Sequence, residues 1–340
     1  MPTWLRGLAP VLIAIAVLVV LQLTLGHLPF FVYLASIVGV NVILAVSLNI
    51  VNGMTGQFSI GHAGFMAVGA YTAGKLSLLL KDVAIAGLPA VVSDQVQFVG
   101  TLLAGGTAAA ICGFIVGLPS LRLRGDYLAI VTLGFGEIIR VIVQNLDVFG
   151  RALGLTGIPQ TSSLFAVWFC VFLVVLVARR IVGSAHGRSL WAIREDEVAA
   201  EAMGVNTTGY KVRAFVISSF FAGVAGGLFA HFVPIINPGS FTFVKSIEVV
   251  VMVVAGGLGS TTGAIVAAMV LTLLPEALRS LFLNIGADAS LAQKVDQIRM
   301  PIYGILLVIL MLVRPQGLFG TKEIWDVLPR WWPGTRKGLT

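Results

Sequence analysis

Charge is what this chain most lacks: Asp, Glu, Lys and Arg make up 11% of its 340 residues, against about 25% in an ordinary soluble domain. So few charges cannot coat a water-facing surface. With 58% hydrophobic residues and a mean hydropathy of +0.99, the chain reads as a membrane protein. Cysteine is scarcer still. Cys112 and Cys170 both fall inside apolar runs, which excludes a disulfide framework and a four-thiolate metal site. His62 has no second ligand at zinc spacing, so no metal is expected. The G-x-x-x-x-G-K-[ST] phosphate loop is missing as well. The nearest glycine string, Gly256-Gly-Leu-Gly-Ser-Thr-Thr-Gly263, carries no lysine, so the chain does not hold ATP by that route. Neither G-x-S-x-G nor H-E-x-x-H occurs, which leaves no catalytic constellation and no cofactor to expect. The 39 glycines follow no collagen triplet. The net charge of +7 does not indicate nucleic acid, because the basic residues lie between apolar runs, as membrane topology dictates.

What is present is long apolar runs. A helix needs about 20 apolar residues to cross the hydrocarbon core. Runs near Leu8–Leu25, Leu28–Val51, Ile60–Leu80, Phe98–Leu118, Tyr127–Val143, Leu164–Ile181, Ala214–Val233 and Ile298–Val313 qualify. The first follows Arg6 as a secretory signal would, but it is longer than a signal core and lacks an A-x-A-like cleavage site, so it reads as a span. Ile247–Leu274 is too long for one span, and Gly256, Gly257, Gly259 and Gly263 interrupt it. It reads as a re-entrant pair or two short helices, backbone that membranes tolerate only where protein or a watery cavity covers it. The fold class expected is an all-α polytopic membrane protein of about eight spans plus this glycine-interrupted pair. Residues 1–320 form the transmembrane domain, with a loop at 183–212 and a tail at 321–340.

Lys and Arg in short loops set orientation. Placing Arg6, the Arg122/Arg124 turn, the segment Arg179–Arg213 and the tail from Arg314 on the cytoplasmic side puts 14 of the 22 basic residues there. Both termini are then cytoplasmic and the number of crossings is even.

Three groups of residues stand out. The loop stretch from Ser189 to Gly204 reads as one helix, with Ser189 as N-cap and Gly204 as stop. Leu190, Ile193, Glu197, Ala200, Glu201 and Gly204 recur at three- and four-residue steps, giving a mixed apolar and acidic face. A bland interfacial helix has the same periodicity, but the acidic cluster Glu195, Asp196, Glu197 and Glu201 does not suit anionic lipid. A protein partner suits it better, with Arg194, Glu195, Glu197, Glu201 and Gly204 as candidate contacts. The second group is the junction of two apolar runs, where Asn49, Asn52, Thr55, Gln57, Ser59 and His62 are costly unless partnered or wet. With Gly256, Gly257 and Ser260 they are candidates for lining a path; the competing reading is close helix packing through small residues. The third is buried charge. Glu137 and Arg140 are spaced to pair on one helix. Glu248, three residues after Lys245, is a candidate at the outer mouth of a path.

Four strings then carry a resemblance. Leu48-Asn-Ile-Val-Asn-Gly-Met-Thr-Gly-Gln-Phe-Ser-Ile-Gly-His-Ala-Gly-Phe65, Gly125-Asp-Tyr-Leu-Ala-Ile-Val-Thr-Leu133, the loop from Gly187 to Gly204, and Ala255-Gly-Gly-Leu-Gly-Ser260 resemble, in order and spacing, the LivM-type permease subunit of bacterial branched-chain amino acid ABC importers. The likeness covers roughly residues 35–320. Thr261-Thr-Gly-Ala264 lacks a proline often found there, and the tail beyond Gly320 has no counterpart. The resemblance implies an inner-membrane importer with a LivH-type second permease, two cytoplasmic ATPase subunits and a periplasmic solute-binding protein. In that setting the loop around Glu197, Glu201 and Gly204 matches the coupling helix that sits in a groove of the ATPase. An ion-coupled secondary transporter is the alternative. It needs ionisable groups at mid-membrane, and Glu137 and Glu248 each have a basic neighbour.

Overall fold

The computed structural model describes residues 29–81, 89–120, 126–284, 301, 304–305, 312, 317–320 and 323. Ten α-helices are described: α1 (Pro29–Asn52), α2 (His62–Leu80), α3 (Ala90–Ser120), α4 (Asp126–Asn145), α5 (Leu164–Val182), α6 (Ala185–Glu195), α7 (Glu197–Ala202), α8 (Thr207–Ala230), α9 (Phe243–Gly256) and α10 (Thr261–Asn284). Two short strands, β1 (Leu155–Thr156) and β2 (Ile235–Ile236), pair antiparallel with Leu155 opposite Ile236. Seven helices, α1 to α5, α8 and α10, are long and apolar enough to cross a membrane. The expected spans at 8–25 and 298–313, the Arg122/Arg124 turn and the tail 321–340 lie outside the described residues, apart from isolated positions such as Glu323.

The helices are not equivalent. Buried positions make up 72% of the apolar window of α8 and 67% of that of α1, but 22% of those of α4 and α5. A helix apolar all round and buried all round is a core helix; one equally apolar with little buried turns its surface to lipid. The centre is knit by backbone contact. A Cβ at Gly69 of α2 would fall on the backbone of Gly223 of α8, and one at Gly226 on the carbonyl of Met66. Small residues let backbones approach where no hydrophobic effect drives helices together.

Two expectations need correction. The span predicted from Ala214 begins seven residues earlier, at Thr207, because Asn206 caps α8 by accepting from the Gly209 amide (2.9 Å). Lys211 and Arg213, which break the apolar window, are therefore helical. The pair predicted over Ile247–Leu274 is one short helix and one long one. With 14 residues, α9 rises about 21 Å, too little to cross alone. With 24 residues, α10 is long enough. Lys245 near the start of α9 and Thr272 midway along α10 both bond Asn41 of α1, so the two helices run antiparallel as a hairpin.

The hairpin defines two ends of the molecule. Its tip, residues 257–260, lies beside α6 and the loop between α1 and α2; we call this the loop end. The start of α9 lies near the β1–β2 ribbon, at the ribbon end. There Glu137 of α4 does two jobs: its Oε2 pairs with Arg140 (2.7 Å), as the spacing predicted, and its Oε1 accepts from the Phe243 amide (3.0 Å), capping α9.

Candidate functional site

The loop at 183–212 is two helices rather than one. Ser184 caps α6 by accepting from the Gly187 amide (3.2 Å), and Ser189, expected as the cap, is inside the helix. The chain breaks at Asp196, which is extended. Its Oδ1 accepts from the amides of Val198 (2.9 Å) and Ala199 (3.0 Å), starting α7 anew. Gly204, at φ +83°, stands just beyond the end of α7, where the left-handed backbone suits glycine.

This break disperses the acidic cluster. Asp196 is a cap, and Glu197 pairs with the buried Lys211 of α8 at 2.6 Å. Glu195 and Glu201 stay exposed. Leu190 and Ile193, the apolar half of the predicted face, are buried in the core, whereas Val198 is 61% and Met203 84% exposed. The outward surface of the loop includes His186, Arg188, Glu195, Asp196, Val198, Glu201 and Met203. Arg194 turns the other way. Stacked on Trp191 (4.9 Å), its guanidinium donates to the carbonyls of Gly53 (2.6 Å) and Leu258 (3.3 Å). The sequence grouped Arg194 with the docking residues; its side chain instead fastens α6 to both polar segments of the core.

Those segments meet. Asn49 Oδ1 accepts from the Gly259 amide (2.9 Å), so the junction after α1 and the hairpin tip are in direct contact. Asn52 closes the loop beneath them, its Oδ1 accepting from the Ser59 amide and its Nδ2 donating to the Ser59 carbonyl. His62 Nε2 lies 2.9 Å from Ser47 Oγ. Ser47 Oγ also lies 3.0 Å from the Leu44 carbonyl, so serine and imidazole share one buried polar cluster. Ser260 Oγ accepts from the Gly263 amide (3.0 Å), and Gly256 packs on Gly263. Gly257 (φ +112°) and Gly259 (φ +91°) form the tip, in backbone that L side chains rarely adopt. Asn49, Asn52, His62, Gly256, Gly257 and Ser260 are all buried in this conformation. Gln57 is half-buried, with a buried Oε1 that has no partner among the described residues. The expected path residues thus come together as a packed, hydrogen-bonded junction with little open lining.

Open space lies at the other end. A cavity of about 530 Å³ is bounded by α1, α9 and α10. On its wall Lys245 Nζ bridges Glu248 Oε2 (3.0 Å) and Asn41 Oδ1 (2.9 Å), and Asn41 Nδ2 donates to Thr272 Oγ1 (2.9 Å). Tyr33, Leu34, Ile37 and Phe229 supply apolar walls. Of the predicted path residues, Glu248 is the one that lines this cavity.

Sequence reading missed Asn41, Lys211, Thr272 and Glu323. The carboxylate of Glu323 accepts from the amides of Thr261 (2.6 Å) and Thr262 (3.0 Å), capping α10. Two backbone bonds, Leu318 to Ala255 and Phe319 to Gly256, lay the same segment against the tip. Asn41 and Lys211 each sit inside or beside an apolar run, and nothing local marks their partners.

Comparison with known proteins completes the picture. No solved structure matches the chain. The high-affinity branched-chain amino acid transport system permease protein LivM of Escherichia coli is 35% identical over 320 residues, covering 84% of this chain and 69% of its own. A probable branched-chain amino acid transport permease LivM of Methanocaldococcus jannaschii is 26% identical, covering 84% of this chain and 92% of its own. LivH of Escherichia coli is 30% identical over 165 residues, about half of each chain. Residues 30–313 match the family described as branched-chain amino acid transport system permease component, and the chain belongs to that family.

Proposed function

We propose that this chain is one of two membrane subunits of an ATP-driven importer of branched-chain or related amino acids. It sits in the bacterial inner membrane beside a LivH-type permease, with the loop end and both termini cytoplasmic. A periplasmic solute-binding protein delivers substrate to the ribbon end. Two ABC ATPase subunits dock on the loop and hydrolyse the ATP, while the chain itself gates.

The observation that carries this reading is the placement of Arg194. The α6–α7 pair, which exposes Glu195 and Glu201, is fastened through one guanidinium of α6 to the two polar segments that close the junction. ATPase movement at Glu201 and Met203 reaches Gly53 and Leu258 through a single rigid side chain. A state change needs such a differential contact, since a partner shifts an equilibrium only by its unequal affinity for the two states. At the ribbon end, Lys245 and Glu248 offer a zwitterion one charge of each sign within a partly apolar cavity, the pattern a branched-chain amino acid requires.

The test is Glu201→Lys in the reconstituted importer, both permeases and both ATPase subunits supplied with the solute-binding protein. Uptake is expected to fall about tenfold while ATP hydrolysis continues, the loss of one charged contact at a docking surface. Coupled uptake at the normal ratio would remove Glu201 from the docking face.

A further inference from the structure

A second recess lies at the loop end, on the outer flank between α5 and α8. It measures about 810 Å³. Its deep wall is apolar, made by Leu176 and Val177 of α5 and Ile217 of α8, and its rim carries Arg180, His186 and Arg213. No carboxylate lines it, and all three rim side chains are exposed. Neither arginine has an ion-pair partner among the described residues; the Arg213 guanidinium lies over the Tyr210 ring at 5.8 Å.

The arrangement has a direction. α5 runs toward the loop end and carries Arg180 in its last turn, so Val177 and Leu176 lie about one turn deeper in the membrane. α8 runs away from the loop end, so Ile217 lies about one turn deeper than Arg213. Both helices therefore put cations at one level and a continuous apolar wall beneath it. Water does not need such an arrangement, and a transmembrane helix of a partner would have to bring carboxylates or leave two guanidiniums buried unpaired, a costly outcome.

We propose that this recess holds an anionic phospholipid, its phosphate between Arg180 and Arg213 and an acyl chain along the α5–α8 wall. Guanidinium groups bind phosphate oxygens in a bidentate way, and basic pockets between helices at the cytoplasmic surface suit anionic headgroups. The site matters because α5 and α8 are the two roots of the α6–α7 loop, and His186 of α6 stands on the same rim. A lipid held there ties both roots together and sets the position from which the loop moves.

The experiment uses the assembled importer in nanodiscs with photoreactive phosphatidylglycerol or phosphatidylcholine carrying identical acyl chains. Phosphatidylglycerol should label the peptides around Val177 and Ile217 about tenfold more than phosphatidylcholine does, about what one charge-assisted hydrogen bond contributes. The preference should vanish in the R180Q/R213Q double variant and survive in R180K/R213K. Equal labelling by the two probes in the unaltered chain would reduce the recess to ordinary annular lipid and overturn the assignment. A photoreactive amino acid at Ile217 that cross-links the second permease and no lipid would overturn it too, by showing a protein interface. Neither readout involves uptake, so the site stands or falls independently of the transport reading.

Discussion

At the ribbon end of the α9–α10 hairpin, charge faces space: Lys245 and Glu248 border a cavity, tied into Asn41 and Thr272. At the loop end of the same hairpin, the polar groups of Asn49, Asn52 and Ser260 are neutral, buried and bonded mostly to backbone. The difference follows from what burial costs. An ion pair stripped of water needs further hydrogen bonds to break even, whereas an amide bonded to a peptide group gives up little. A closure that must open and re-form is therefore better built from neutral bonds than from charge. Under the proposed function, a place that receives a zwitterion is better built from charge that borders a cavity.

The comparison can be broken at the ribbon end first. Lys245→Met removes the cation beside Glu248, whose side chain is 3% exposed. It should cost about 3 kcal/mol of stability, measured as a drop in unfolding temperature of the assembled importer in detergent. Adding Glu248→Gln should recover most of that loss. Recovery by less than half would show that the pair is not the unit at work.

Next comes the tip. Gly257→Ala places a side chain at φ +112°, and should cost about 2 kcal/mol, read in the same assay. A bulkier Leu fails for the same backbone reason, so bulk at this position does not separate path lining from helix packing. Arg194→Lys keeps the charge but loses the longer, planar guanidinium, whose Nη1 reaches both carbonyls and whose face stacks on Trp191. It should lower uptake per ATP hydrolysed about tenfold, the worth of one strong hydrogen bond. An unchanged ratio would remove Arg194 from the transmission route. The smallest effect belongs to Glu323→Gln, which weakens a charged cap at a helix N-terminus and should cost about 0.5 kcal/mol, seen as a small shift in the unfolding midpoint.

Much of this fold was legible in the sequence because membrane helices advertise themselves by length and apolarity. α5 was expected over Leu164–Ile181 and is observed over Leu164–Val182. The Glu137–Arg140 pair was readable because both partners are on one turn. The meeting of residues 49–62 with 256–263 was readable because both interrupt apolar runs. The start of α8 was not, since Lys211 and Arg213 look like loop until Glu197 is seen to neutralise Lys211. The break at Asp196 left a signal that went unused: aspartate is among the strongest N-caps, and it stood in the middle of a helix assigned on periodicity. The partners of Asn41 are 204 and 231 residues away, and no local pattern encodes such distances.

The cap on α10 has a consequence for how the chain is made. The first amides of a helix have no partner within it, and here those of Thr261 and Thr262 are met by a residue about 60 positions later. A ribosome releases residue 323 only after the hairpin and everything between have been delivered to the membrane. The cap on the hairpin tip therefore cannot form until that later residue has been made. A chain truncated before Glu323 leaves the Thr261 and Thr262 amides without that carboxylate, while the bonds from Asn41 and Asn49 still hold the hairpin to α1.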